Sequence, residues 1–398
     1  MMVYPIISPA QRRSLAAAII CTSTVGTTMG LTWPLLSLIL HHQGVDSALI
    51  GLSAASQSLA VLLAAPFAPG IINRYGMVQA IGGCIAVILA ALLLLPILEN
   101  VEAWFPIRFT LGAGVAILQI ATQTWVNQIA PDHIRGKIIG FFGLLWAGGF
   151  AAGPLAIRLT GIEGWPPFVI AICLTAGAAL PLVFVSETVS RGPGQAAEKR
   201  LLDVLRVGGS AVAASVVLGV LDSINDSFLP LYGLRNGLAQ GSAVTMLTVL
   251  LLGVLSVQLP IGWAADRVSS PGLLAVVTVV ALLMGLLLPH AIASGFALWP
   301  TLFVFGLASG GIWTVSVVLV GQIFQGRSLA TASMVESVLY GVGSVLAPPL
   351  TGLALDAWGR YGLPLALAGT CAMFGLLQVW LLCRRRGKPM RIEQKTEE

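Results

Sequence analysis

The sequence predicts an all-α membrane protein: twelve transmembrane helices in two six-helix bundles related by a pseudo-two-fold axis. Three observations carry that prediction. Of 398 residues, 57% are hydrophobic and only 9% charged, against about 25% charged in a soluble domain. Apolar runs of roughly 20 to 27 residues follow one another without strand-like alternation, and lipid leaves the backbone only helices or a closed barrel. The two halves of the chain also repeat each other at a nearly constant offset. A mean hydropathy of +0.92 excludes a soluble enzyme, a nucleic-acid binder, a coiled coil and a disordered chain as readings of the whole.

Taken in order, the spans fall at 14–40, 47–73, 77–98, 103–130, 135–160, 165–186, 207–235, 241–266, 272–292, 296–325, 329–356 and 361–383. Turn or charge signals separate them: His41-His42-Gln43-Gly44, Asn73-Arg74-Tyr75-Gly76, Pro131-Asp132, Gly161 to Gly164, Asp266-Arg267 and Gly359-Arg360. The first span follows Arg12-Arg13, is too long for the core of a signal peptide and has no A-x-A-like site after it, so it reads as a retained start-transfer segment. One connection stands apart, holding Glu187, Arg191, Gly192, Pro193, Gly194, Lys199 and Arg200. The chain therefore divides into a bundle over 1–186, a linker over 187–206, a second bundle over 207–383 and a basic tail over 384–398.

With the N-terminus inside, all but four of the 21 Lys and Arg residues lie in cytoplasmic segments; the four are Arg108, Arg158, Arg235 and Arg360. That bias places both termini in the cytoplasm, and a bacterial cytoplasmic membrane is the expected location. The net charge of +5 follows from this placement and gives no argument for nucleic acid. Arg384-Arg385-Arg386-Gly387-Lys388 reads as a stop-transfer anchor. Cys21, Cys84, Cys173, Cys371 and Cys383 show no metal or redox spacing and read as small apolar residues.

The repeat is legible residue by residue. Asn127-Gln128-Ile129 matches Gly321-Gln322-Ile323, Gly112 matches Gly306, and Ala147 to Leu155 matches Gly341 to Pro349, all at offset 194. Pro34 matches Pro230 at 196, and Asn73-Arg74 matches Asp266-Arg267 at 193. Duplicated bundles place an interface near the bilayer midplane, where transporters hold their substrates.

Polar residues in the spans are the candidate machinery. Asp222 and Asp226 in span 7 are an i, i+4 pair about 40° apart on one face, with Asn225 assigned to the same arc. An ionised Asp at mid-membrane costs about 2.5–3.5 kcal/mol, and two on one face repel, so the pair is suited to taking up a proton. The bland alternative is a hydrated position near the interface. Glu336, eight residues into span 11, is a secondary coupling candidate. Arg108, five residues into span 4, can snorkel to the outer headgroups or act on the carboxylates. Gln119, Gln123 and Asn127, with Thr122 beside them, stripe span 4 at i, i+4, i+8, and an amide in lipid needs a partner or water. Thr28 and Thr32 stripe span 1 next to Trp33, although a threonine can bond its own helix. Trp313 lies mid-span in span 10, away from the interfacial belt. Spans 1, 4, 7 and 10 hold equivalent positions in a duplicated bundle, and their stripes are expected to converge on one aqueous cavity.

These features resemble the major facilitator superfamily over nearly the whole chain. Gly262-Trp263-Ala264-Ala265-Asp266-Arg267 resembles the G-x-x-x-D-R loop signature. Pro69 to Gly76 is a degraded copy, with Asn73 in the acid's place and Arg74 retained. Arg108-Phe109-Thr110-Leu111-Gly112-Ala113-Gly114 resembles the span 4 signature whose arginine is implicated in proton transfer. Gly140, Gly149, Gly153 and Pro154 have the spacing associated with antiporters, without the trailing glycines. The resemblance implies the superfamily's fold and, within it, the proton-antiporting drug-exporter-like branch and compact bacterial permeases. It implies gating roles for Arg74, Asp266, Arg267, Gly149, Gly153 and Pro154.

The expected function is a proton-coupled secondary transporter exporting a small amphipathic, neutral or cationic solute. Asp222, Asp226, Arg108 and Glu336 handle protons, and Gln119, Thr122, Gln123, Asn127, Asn225, Trp313, Thr28, Thr32 and Trp33 contact substrate. Alternatives are proton symport of a nutrient, peptide or siderophore, or a non-transporting receptor or scaffold. No catalytic motif for an intramembrane protease and no nucleotide-binding Gly-rich loop occurs in the sequence, so no enzyme is expected. No cofactor or metal is expected beyond the proton as coupling ion. The partners are the lipid bilayer and a small molecule, the chain acting as a monomer.

Overall fold

The computed structural model describes residues 9–98, 100–131, 134–185, 204, 207–265, 267–324 and 327–385. The linker, apart from Val204, and the tail beyond Arg385 lie outside them, as does Asp266. The described elements are helices: α1 (Pro9–His42), α2 (Ser47–Ala64, continuing through a 3-10 turn into Ala68–Tyr75), α3 (Met77–Ile97), α4 (Val101–Ile129), α5 (Arg135–Thr160), α6 (Pro166–Ala179, with a 3-10 turn over Leu180–Phe184), α7 (Ser210–Arg235), α8 (Gln240–Ala265), α9 (Ser270–Ser294), α10 (Leu298–Ile323), α11 (Arg327–Trp358) and α12 (Gly362–Arg385). Among the described residues, eleven stretches are long and apolar enough to cross a membrane; the last, Thr331–Leu381, takes in most of α11 and α12 around the short 3-10 turn Gly359–Tyr361.

Most spans start and stop where the turn signals stand. Gly76, with φ of 87°, ends α2 and starts α3 in a conformation that a Cβ disfavours. Asn100 caps α4, its side chain accepting the Glu102 amide at 3.0 Å. Two expectations move. Pro9 to Arg13 already belong to α1, because a polar turn in solvent continues a helix at little cost. His41 and His42 end the same helix rather than forming a loop.

Packing repeats with the sequence. α1 packs on α4, α5 and α6, α2 and α3 pack on α4, and α3 packs on α6. Six helices later, α7 packs on α10, α11 and α12, α8 and α9 on α10, and α9 on α12. Glycines explain the correspondence. A Cβ on Gly26 would meet the Trp146 carbonyl and one on Gly149 the Ser23 carbonyl; a Cβ on Gly219 would meet the Tyr340 carbonyl and one on Gly343 the Val216 carbonyl. Each pair of contacts maps onto the other at 193 or 194 residues. The α1/α5 and α7/α11 crossings are thus the same backbone-on-backbone contact made twice, of the kind small residues permit between membrane helices. The principal contacts between the first six helices and the last six are α1 with α7, α2 with α11 and α5 with α8.

Candidate transport site

The α7/α11 crossing gathers three carboxylates. Asp222 is half-buried, and its Oδ2 accepts a 3.0 Å hydrogen bond from the Tyr340 hydroxyl of α11. Asp226, one turn along α7, is 6% exposed. Glu336, one turn back along α11 from Tyr340, accepts a 3.4 Å hydrogen bond at Oε1 from the Ser215 hydroxyl. Gly219 and Gly343 bring the two backbones together, which puts the phenol within reach of Asp222. The hydrogen-bond partners here are neutral hydroxyls. Among the described residues Arg235 pairs with Asp356 at 3.2 Å and His42 lies 3.7 Å from Glu163, and neither contact touches this cluster. Asp222 and Asp226 thus stand a turn apart on one face of α7, with no cation paired to either among the described residues.

Asn225 does not share that face. It lines a water-sized void of about 10 Å³ with Leu288, Thr301 and Phe305 of α9 and α10, and its Oδ1 is buried with no hydrogen-bond partner among the described residues. The i, i+3 step from Asp222 and the backward step from Asp226 turn it the other way round the helix.

Arg108 does not snorkel. It is 1% exposed, with Nε donating to Gln57 Oε1 and Nη1 to the Ser53 hydroxyl, both at 3.3 Å and both on α2. No charged group among the described residues bears on it.

The uncharged stripes divide. Gln119 is half-buried, and Gln123 and Asn127 are exposed along α4. Trp313, at the repeat-equivalent position to Gln119, is 49% exposed on α10. The threonines pack instead: Thr22 donates to Thr122 at 3.0 Å, Thr28 meets Thr175 at 3.1 Å, and Thr32 is fully buried and bonds to its own helix. They tie α1 to α4 and α6. Trp33 is half-buried with its edge against Phe150, centroids 5.9 Å apart, and Trp146 stacks on the same ring at 5.6 Å.

The motif residues sit at helix ends and crossings. Arg74 and Arg267 are exposed at the ends of α2 and α8, each guanidinium over a neighbouring ring, Tyr75 at 5.5 Å and Trp263 at 3.7 Å. Gly149 and Gly153 press against Ser23 and Gly30 of α1, beside buried Pro154. Asp266 lies outside the described residues.

Sequence reasoning missed Tyr340, Ser215, Gln57, Ser53, Trp146 and Phe150. Tyr340 had a signal: it lies four residues after Glu336, on the same helical face. Gln57 had another, as an amide inside an apolar run.

The family model of the Major Facilitator Superfamily matches residues 18–335 and, again, 214–398. An uncharacterized MFS-type transporter of Bacillus subtilis (strain 168), YfkF, is 25% identical over 341 residues, covering 84% of this chain and 86% of the relative. Among solved structures, a bacterial homolog of the human lysosomal transporter Spinster, inward-facing and unoccupied, aligns with a TM-score of 0.79 at 14% identity, over 96% of this chain and 100% of that one. A D-xylose-proton symporter aligns with a TM-score of 0.72 at 14% identity, over 94% and 95%. Together these define a multi-pass membrane transporter and not an enzyme. The chain belongs to the Major Facilitator Superfamily.

Proposed function

We propose that the protein is a proton-coupled transporter that moves a small amphipathic, neutral or cationic solute by alternating access, in the direction of export. The observation that carries this reading is the α7 carboxylate pair, Asp226 buried and Asp222 bonded to Tyr340. A site that is charged in one conformation and neutral in the other couples a proton gradient to movement of the solute. Arg108 modulates protonation from the N-terminal half. Glu336 offers the pair a second acid one turn nearer the cytoplasm, and Gln119, Gln123, Asn127 and Trp313 line the path of the solute. The proton is the coupling ion, and no other cofactor enters.

The same reading takes the architecture as twelve spans in two bundles, 1–186 and 207–383, with both termini and the 187–206 linker in the cytoplasm of a bacterial cell, acting as a monomer. The recurrence of six helix pairings supports it. In that orientation the outer ends of α2, α7 and α11 meet where Arg235 pairs with Asp356 and Asp356 Oδ2 accepts the Ala48 amide at 3.1 Å. On this reading the contacts join the halves on the outer side, in an inward-facing conformation. Symport uses the same chemistry in reverse, and the shared architecture of the D-xylose-proton symporter keeps it as the second reading.

The test uses purified protein in liposomes, an imposed pH gradient and a panel of candidate solutes. Flux should follow the gradient and fall at least tenfold in Asp222→Asn and Asp226→Asn. Gradient-driven flux unchanged in both variants sinks the proton site, and uptake with the proton instead of exchange against it selects symport.

A further inference from the structure

Two of the contacts between the halves, α2 with α11 and α5 with α8, are seams that the repeat makes equivalent. At the 194-residue offset Ser47 corresponds to Gly241, Gly51 to Thr245, Pro154 to Pro348 and Arg158 to Gly352. The contacts follow the same correspondence: Gly352 sits on Ser47, and the Arg158 side chain lies beside Gly241. The two seams are nevertheless built differently. In the α2/α11 seam both helices offer a buried glycine, and backbone meets backbone. A Cβ on Gly352 would meet the Ser47 carbonyl and one on Gly51 the Pro348 carbonyl. About three turns back along α11, a Cβ on Gly341 would meet the Leu62 side chain of α2. In the α5/α8 seam the same two glycine positions are Thr245 and Arg158. The exposed Arg158 donates from Nη1 to the Thr245 hydroxyl at 3.0 Å, and Thr245 is only half-buried.

We propose that the two seams part unequally when the protein changes conformation: α2/α11 is the hinge edge, and α5/α8 is the edge that opens. A glycine contact has no side chain to swing aside, so separating α2 from α11 loses close packing over several turns at once. Asp356 reinforces this edge, paired with Arg235 and accepting the Ala48 amide. Arg158 can leave Thr245 by rotating its own side chain, and water replaces an exposed hydrogen bond at little net cost. The halves then swing about one edge, as domains do about a hinge, instead of rocking symmetrically about the pseudo-axis. A solute crossing that end of the molecule passes beside Arg158 and Thr245 and not between α2 and α11. This hinge presupposes the alternating-access reading but no particular ion or solute.

Repeat-equivalent spin-label pairs test it in the purified full-length protein, with the exposed Cys173 and Cys383 replaced by serine. One pair, Ala48→Cys with Leu353→Cys, spans α2/α11; the other, Ser242→Cys with Leu159→Cys, spans α5/α8. Label-to-label distances are measured in lipid nanodiscs. The α5/α8 pair should show a second component longer by about 5 Å or more, while the α2/α11 distance varies by less than about 2 Å. Arg158→Ala should enrich the longer α5/α8 component about fivefold and leave the α2/α11 pair as it was. Asp356→Ala, which weakens the hinge edge, should let the α2/α11 pair lengthen as well. Equal lengthening of both pairs in the parent protein, or lengthening of the α2/α11 pair alone, overturns the hinge and leaves alternating access standing. A single distance in both pairs, unchanged by Arg158→Ala, overturns the hinge and the alternating-access reading together.

Discussion

Arg235 at the end of α7 and Asp356 near the end of α11 lie 3.2 Å apart, and the same carboxylate reaches across to the first turn of α2 at the Ala48 amide. One side chain thereby joins two helices of the second half to a helix of the first. The side chains are about a third exposed, so the pair contributes on the order of 1 kcal/mol. In alternating access that amount acts on the balance between conformers more than on folding. On the orientation proposed above, Asp356→Ala should shift the balance about fivefold toward the outward-open state, read as maleimide labelling of a cysteine placed at the Asp356 end of the α2/α11 seam. Labelling no faster than in the parent protein would mean the pair holds nothing shut.

The bond from Tyr340 to Asp222 has a separable energy. Tyr340→Phe leaves a half-buried carboxylate without its donor and should cost about 1–3 kcal/mol. Asp222→Asn in the same background should recover part of that, giving a coupling of about 1 kcal/mol in a double-mutant cycle on thermal stability. Additive losses would show that the 3.0 Å contact carries no interaction of its own.

Arg108 predicts a conflict between stability and activity. A buried guanidinium whose partners are an amide and a hydroxyl keeps most of its desolvation cost. Arg108→Gln should leave the melting temperature unchanged or raise it by a few degrees, while gradient-driven flux falls at least tenfold. A sharp drop in melting temperature would reveal a counter-charge in the resting protein.

The crossings predict their own intolerance. Gly219→Val forces a side chain into the Tyr340 backbone and should cost about 1–3 kcal/mol or more, seen as loss of monodisperse protein on purification. Gly140→Ala, where nothing lies within 4 Å, should be silent. If Gly219→Val is equally silent, the two helices do not touch there.

The span pattern was largely legible because lipid imposes one rule on every segment: long apolar stretches, interrupted by Gly, Pro or charge. Asp222 and Asp226 stood out for the same reason, since a charge in such a stretch is costly. Threonine gave a weaker signal. Thr28 has the i, i+4 spacing of a lining stripe and Thr122 stands beside one, yet each finds a hydroxyl on a neighbouring helix, and spacing alone does not say which neighbour is there. Counting residues along one helix leaves Arg108 free to snorkel or to turn inward; its burial depends on Gln57 and Ser53, half a hundred positions earlier, which no local window contains. Asn225 shows the limit of the helical-wheel argument. A 60° error in assigning an arc moves a side chain from the pair's face to the void beside Thr301.

The glycine crossings also bear on how such a protein changes over time. Because backbone meets backbone there, the join between α7 and α11 makes few demands on side chains a turn away, and the α1/α5 join makes equally few. Side chains beside the two crossings differ, Asp226 and Asp222 standing where the first half has Trp33 and Met29, while the crossing itself is kept, so ancestry that shaped the scaffold need not have dictated the cargo.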